Sequence, residues 1–163
     1  MKQALLVIDV QNFFINTLTA ALPGKIRLYI QKNRKKFDTI IFTHFVNTPT
    51  SSVYRLLGWK KSITSADTDI AQELQPILSQ GVLVSKNVYS ALKAPGVNTL
   101  LKNRHIQKLY LCGIDTDCCV LATAYDAFDR GYAVSLLKNL CMSSAHEFFH
   151  AAALSLLKRN IGV

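Results

Sequence analysis

The sequence predicts an α/β protein: one domain over residues 1–163, in three layers, with a mostly parallel sheet of five or six strands flanked by helices. Three observations carry this. The chain has 163 residues, a one-domain length, and 50% of them are hydrophobic, enough for a sizeable core. Short, nearly continuous apolar runs recur along it, the pattern of strands buried on both faces. Segments of helical periodicity separate those runs, and strands alternating with helices imply parallel crossovers. No repeat, low-complexity stretch or second domain interrupts the alternation.

Residues 4–10 form an apolar run that takes in Asp9, and give the first strand. Pro23 suits the first turn of a helix running to about Lys36. Residues 39–45 are β-branched and aromatic, and give the second strand. Residues 47–65 hold Pro, Gly, Ser and Thr around Tyr54, Leu56, Leu57 and Trp59. They read as a long loop with apolar content, a lid or a partner surface. A short helix is expected over 67–74, a third strand over 81–85 and a helix over 97–104. The fourth strand is 108–112, followed by Gly113. Residues 117–130 carry a strong helix pattern closed by Gly131. The fifth strand is 133–137. Ser144 reads as the N-cap of a final helix over 145–159, with Glu147 placed as in a capping box.

Lys plus Arg number 19 against 10 Asp plus Glu, a formal net charge of +9. Such a balance invites a nucleic-acid or membrane surface. Much of the excess lies in Lys25, Arg27, Lys32, Arg34, Lys35 and Lys36, which flank Ile26, Leu28 and Ile30. That is the solvated face of an amphipathic helix. No apolar run approaches the roughly 18 residues of a membrane span. The opening apolar run, cut by Asp9, is too short for a secretion signal. The four Cys lack a paired spacing, which argues against a disulfide framework. A reduced, soluble, cytoplasmic protein is expected.

In open α/β sheets, sites form beyond the carboxyl ends of the strands. Three kinds of reactive side chain fall there: Asp9 after the first strand, Lys86 after the third, and Cys118 and Cys119 after the fourth. A carboxylate, an ammonium and a thiol meeting at one edge make an activated nucleophile. The helix N-terminus and the Lys are expected to lower the thiol pKa, with Asp9 as proton acceptor. Taken singly, each residue also has a plain structural role: a strand-end acid, a surface cation, a small core side chain.

Asp9-Val10-Gln11-Asn12-Phe13-Phe14 resembles the opening motif of the isochorismatase-like cysteine hydrolases. Lys86-Asn87-Val88-Tyr89-Ser90-Ala91 is similar to their lysine motif. Gly113-Ile114-Asp115-Thr116-Asp117-Cys118-Cys119-Val120 is similar to their nucleophile loop. Order and spacing agree, and the similarity extends over essentially the whole chain. The resemblance implies a Rossmann-like hydrolase domain over 1–163 and a catalytic triad of Asp9, Lys86 and Cys119. It makes Cys119 the nucleophile and Cys118 the variable position. It also implies a cis peptide at Ile114-Asp115 and an oxyanion hole from the backbone N–H groups of Asp115 and Cys119. The implied reaction is hydrolysis of a small-molecule amide or carbamoyl-type C–N bond through a thioester. A small-molecule substrate and a homodimer or homotetramer are implied, with no cofactor.

Nicotinamidases of this family carry an Asp-x-His motif after the second strand, with a further His, holding a metal. Here that stretch reads Thr43-His44-Phe45-Val46-Asn47, with no Asp beside His44, and no metal is expected. His44 is either a hydrogen-bonded structural residue or a pocket wall. Phe14, Tyr54, Trp59 and Tyr89 are candidates to line an apolar pocket; Tyr54 and Trp59 suit an oligomer contact equally well.

Three rival readings stand beside this one. His146-Glu147-Phe148-Phe149-His150 matches the zinc-protease pattern, but no Asp, Glu, His or Cys follows His150 as a third ligand. Cys112, Cys118, Cys119 and Cys141 contain no C-x-x-C pair for a metal cluster; Cys112 reads as core strand and Cys141 as a loop thiol. The non-enzyme alternative is a catalytically idle basic module of the same fold that binds nucleic acid or a partner protein. Only the charge supports it. The presence of Asp9, Lys86 and Cys119 together disfavours it, and nucleic acid with it.

Overall fold

The computed structural model describes residues 1–163. The apolar runs become five strands: β1 (Gln3–Ile8), β2 (Thr39–Phe45), β3 (Val82–Lys86), β4 (Lys108–Gly113) and β5 (Ala133–Cys141). All pair in parallel, in the order β3-β2-β1-β4-β5. The central strands are the most continuously apolar, because helices cover both faces of the sheet. Ala4 to Ile8 are all buried, as are Ile40, Ile41 and Phe42. At the β3 edge, Val82 and Leu83 are exposed.

Six helices flank the sheet: α1 (Leu22–Asn33), α2 (Ser52–Leu57), α3 (Ser65–Thr68), α4 (Val97–Asn103), α5 (Leu121–Asp129) and α6 (Glu147–Ile161). The chain builds β1, β2 and β3 outward in one direction, then crosses back to lay β4 and β5 on the other side of β1. The strand order therefore reverses between β1 and β4, the point where such sheets open a crevice. Ile8 is in register with Thr43 on one side and Gly113 on the other, and Phe45 is in register with Lys86. This register brings the ends of β1, β2, β3 and β4 to one edge. Gly113 is needed for that approach. Its φ is +125°, and a Cβ there would lie 2.1 Å from the Ile8 carbonyl oxygen.

Several local expectations give way to tertiary structure. The first helix stops at Asn33, and Arg34–Lys36 forms a separate 3-10 turn. Residues 47–65 are not simple loop: Ser51 caps α2, its Oγ accepting the Tyr54 N–H. The helix expected over 67–74 is split. Ile70 bridges to Gln11, with α3 before it and a 3-10 run, Gln72–Gln80, after it. The fifth strand runs on to Cys141, which is buried core rather than a loop thiol. His146, not Ser144, caps α6, its Nδ1 accepting the Phe148 N–H. No helix is long and apolar enough to cross a membrane.

Candidate active site

Asp9 follows β1 with φ +49°, in the left-handed region that a non-glycine residue seldom occupies. The turn is held by its N–H, which donates to the Thr43 carbonyl at 3.0 Å. Asp9 is fully buried, and its Oδ1 accepts the Thr43 hydroxyl at 2.7 Å. Its Oδ2 lies 2.6 Å from Lys86 Nζ. Lys86, the last residue of β3, also donates to the Val88 carbonyl at 2.9 Å and to Cys119 Sγ at 3.3 Å. Its three ammonium protons are thereby matched by three partners. Burial works against the Lys86 charge, but Asp9 and Cys119 outweigh it and the pKa is raised.

After Gly113 the Ile114–Asp115 peptide is cis. A π-helical turn, Thr116–Val120, then leads into α5 and carries Cys119. The Asp115 carbonyl accepts the N–H groups on either side of the cysteine, Cys118 at 3.1 Å and Val120 at 3.0 Å. Thr123 Oγ1 donates to the Cys119 carbonyl at 2.6 Å, and Thr116 Oγ1 pairs with His150 Nδ1 at 2.8 Å. The Asp115 carboxyl is fixed from the other side, Oδ1 accepting the Ser144 N–H at 2.5 Å.

The thiol departs from expectation. A hydrogen bond with Cys118, then burial, then the Asp9 charge push Cys119 well above the ordinary thiol range, and the opposing Lys86 charge does not offset them. The surroundings of Cys119, beside the Asp9–Lys86 ion pair, thus favour the thiol over the thiolate.

A cavity of about 440 Å³ opens onto this cluster. Phe13, Phe14, Phe45, Val53, Leu57, Trp59 and Tyr89 form most of its wall, with Asp115, Cys118, Cys119 and Ser144 at its base. The Phe13 ring stands edge-on to Phe14 at 5.2 Å and to Trp59 at 5.4 Å. Gln11 ties the wall to β1: it accepts the Phe45 N–H at 2.6 Å and donates to the Phe45 carbonyl at 2.9 Å and Ser62 Oγ at 2.9 Å.

Of the expected pocket residues, Phe14, Trp59 and Tyr89 line the cavity. His44 does not: its ring nitrogens meet the Thr68 carbonyl at 2.9 Å and Ser85 Oγ at 2.6 Å. Tyr54 is also outside the lining, its ring facing Lys60 Nζ at 5.5 Å. The sequence reading missed Thr43, Phe13, Phe45, Val53, Leu57 and the Ser144 contact. Strand alternation carries part of that signal, since Thr43 and Phe45 share a face of β2 and His44 takes the other.

The donor set does not fit a resident metal. No three His, Cys, Asp or Glu side chains are gathered anywhere in the chain. The stretch Thr43-His44-Phe45-Val46-Asn47 at the end of β2 holds no Asp or Glu to join His44 as a ligand. Asn47 is spent on the wall, donating to the Trp59 carbonyl at 2.7 Å. The two His of the 146–150 motif cap α6 and meet Thr116 respectively.

A family model, the isochorismatase domain, matches residues 3–163. The chain is 29% identical to an uncharacterised isochorismatase-family protein PncA of Bacillus subtilis, over 99% of this chain and 97% of that one. It is 27% identical to Nicotinamidase 3 of Arabidopsis thaliana, over 94% of this chain and 79% of that one. Among solved structures, a pyrazinamidase/nicotinamidase from Streptococcus mutans superposes with TM-score 0.88 at 23% identity, covering 99% of this chain and 98% of that one. The nicotinamidase PncA structure from Bacillus subtilis gives TM-score 0.86 at 26% identity, covering 100% and 98%. With the family model matched over residues 3–163 and the sheet, switch point and apolar pocket in place, the chain belongs to the isochorismatase family of hydrolases.

Proposed function

We propose that the chain hydrolyses the C–N bond of a small amide or carbamoyl compound, with Cys119 as nucleophile, Asp9 as general base and acid, and Lys86 as the cation between them. The observation that carries this is the position of Lys86 Nζ, 2.6 Å from Asp9 Oδ2 and 3.3 Å from the Sγ of Cys119, which lines an apolar cavity. Relatives named nicotinamidase support the amide bond as the one cleaved.

The steps follow from the arrangement. The Cys119 proton passes to Asp9, and Sγ forms a bond to the substrate carbonyl carbon. The C=O electron pair moves onto oxygen, where the backbone N–H groups of Asp115 and Cys119 receive it. Donors so placed are worth about 3–4 kcal/mol each in acyl-transfer sites. The tetrahedral adduct expels the amine, which takes the proton held by Asp9, and leaves an acyl thioester. Asp9 then removes a proton from water as the hydroxide adds to the thioester, and returns it to the departing Cys119. The products are a carboxylic or carbamic acid and an amine or ammonia. Because the surroundings of Cys119 favour the thiol, Asp9 serves as base in the first step as well as the last.

The test is a panel of primary amides and N-carbamoyl compounds, read as amine release and as intact-protein mass in quenched reactions. Turnover with an acyl adduct on Cys119 is expected. Cys119→Ala should abolish turnover, and Cys118→Ala should retain most of it. Loss of turnover in Cys118→Ala, with activity kept in Cys119→Ala, would move the nucleophile to Cys118 and overturn the assignment.

A further inference from the structure

The cavity's charge balance is unusual for a site that must hold a small polar molecule. Its lining contains no Lys or Arg. The nearest ammonium, Lys86, is buried and matched by Asp9, Cys119 and the Val88 carbonyl. Asp9 is neutralised by the same contact. One charged group in the wall is left without a counter-ion, the Asp115 carboxylate. Its protein partner is the Ser144 N–H on Oδ1. Burial is the chief influence raising its pKa, against the lowering effect of the Ser144 hydrogen bonds, and the charges acting on it, Asp117 and Asp9, are both negative and raise it further.

Asp115 is also well placed to meet the reacting end of a substrate. It follows the cis peptide, and its carbonyl is bonded to both neighbours of Cys119. The rings of Phe13, Phe14, Phe45, Trp59 and Tyr89 line the same cavity. Aromatic rings and a carboxylate together favour a cation or an N–H donor on an apolar body. A carboxylate on the ligand would meet Asp115 with no cation to pair either group, losing its hydration for like-charge repulsion.

We propose that Asp115 sets the specificity of this pocket, selecting amides whose apolar acyl body carries a protonated amine or an N–H donor and rejecting those that carry a carboxylate. This rests on the hydrolase reading for the reaction, but the selection itself is a binding property and is tested separately from turnover. The net charge of +9 does not oppose it, because none of the excess Lys and Arg reaches the lining.

The probes are three benzamides matched in shape, bearing a meta aminomethyl, methyl or carboxylate group. Calorimetry on Cys119→Ala at fixed ionic strength reads binding without consumption. The aminomethyl compound should bind most tightly and the carboxylate least, at least about 10-fold apart. In Cys119→Ala/Asp115→Asn that ratio should shrink by about 10-fold, the Asn keeping the acceptor for Ser144. An unchanged ratio in the double variant, tightest binding of the carboxylate, or no measurable binding of any of the three overturns the proposal. Amine release by the wild type from the same compounds tests the hydrolase reading: selective binding without release leaves the specificity in place and removes the reaction.

Discussion

The Thr43 hydroxyl donates to Asp9 Oδ1 at 2.7 Å, while Oδ2 of the same carboxylate faces Lys86 Nζ at 2.6 Å. The two contacts hold the carboxylate plane, and Thr43 is in register with Ile8, the residue before Asp9. Thr43 is thus a positioning residue for the proposed base. Thr43→Val keeps the shape and strands a buried acceptor, a loss of about 1–3 kcal/mol. The expected result is a fall in kcat of about 10–100-fold with little change in KM. Thr43→Ser, which restores the hydroxyl, should recover most of it. A kcat that Val leaves intact would mean Lys86 alone orients Asp9.

Asp9 plays two opposing parts toward Cys119. Its charge helps to keep the thiol protonated, and it is the group proposed to accept that proton. Asp9→Asn should therefore move two readouts in opposite directions. Turnover should fall by about 100-fold or more, because the base is gone. Alkylation of Cys119 by iodoacetamide at neutral pH should become faster, because Lys86 then faces the thiol without Asp9; each unit by which the pKa drops gives about tenfold more thiolate. In the wild type, labelling should climb as pH rises past the ordinary thiol range. Cys119→Ala separates this signal from that of the half-buried Cys118. Slower alkylation in Asp9→Asn would show that Asp9 is not what holds the thiol down.

The difference between what was legible in the sequence and what was not follows the range of the forces involved. β1, β2 and β4 are readable because unbroken apolar runs have no other place than between two helical layers. Asp9, Lys86 and Cys119 are readable from motif order and from strand ends. The α6 cap is not: Ser144 is a good N-cap by composition, but its N–H is taken by Asp115 and the cap passes to His146. α2 has six residues and depends on Ser51, itself hydrogen-bonded to Asn47, so no periodicity announces it. A Lys and a helix start are visible in the sequence and point to a lowered Cys119 thiol pKa, whereas the contact with Cys118 and the burial act the other way. The burial of Cys119 and its contact with Cys118 cannot be read from the sequence.

Gly113 sets how closely β4 approaches β1. With φ +125° and the Ile8 carbonyl 2.1 Å from any added Cβ, Gly113→Ala forces the strands apart where Asp9 and the cis peptide leave them. The obstacle is backbone, so no rotamer change relieves it. A loss of at least about 2–4 kcal/mol is expected, from the strained backbone and the overpacking together. Chemical denaturation should show a lower midpoint, and any folded fraction should have lost activity out of proportion to stability. A variant as stable as wild type would show that β1 and β4 do not need this separation.

The Asp115 carboxylate carries a cost that pH exposes. Its pKa is raised in the folded chain, chiefly by burial, above an unfolded value of about 3.9. The folded state therefore keeps this proton to higher pH than the unfolded state does. The stability it contributes is complete below the unfolded value and is lost as pH rises through the folded one. Wherever the folded chain holds it ionised, the group is a liability. Asp115→Asn removes the charge and keeps an oxygen for the Ser144 N–H. The variant should melt above wild type at pH 7, by about 2–4 °C for each kcal/mol relieved in a chain of this size. The gap should close as the pH is lowered toward the unfolded carboxyl range, where the wild-type group is protonated and equally free of charge. A neutral-pH Tm no higher than wild type, or a gap that widens in acid, would mean that some group in the fold already compensates Asp115. The pocket would then have no unpaired carboxylate to offer a substrate. A gap that behaves as expected makes Asp115 a residue kept against stability, and substrate selection is then the function that accounts for it.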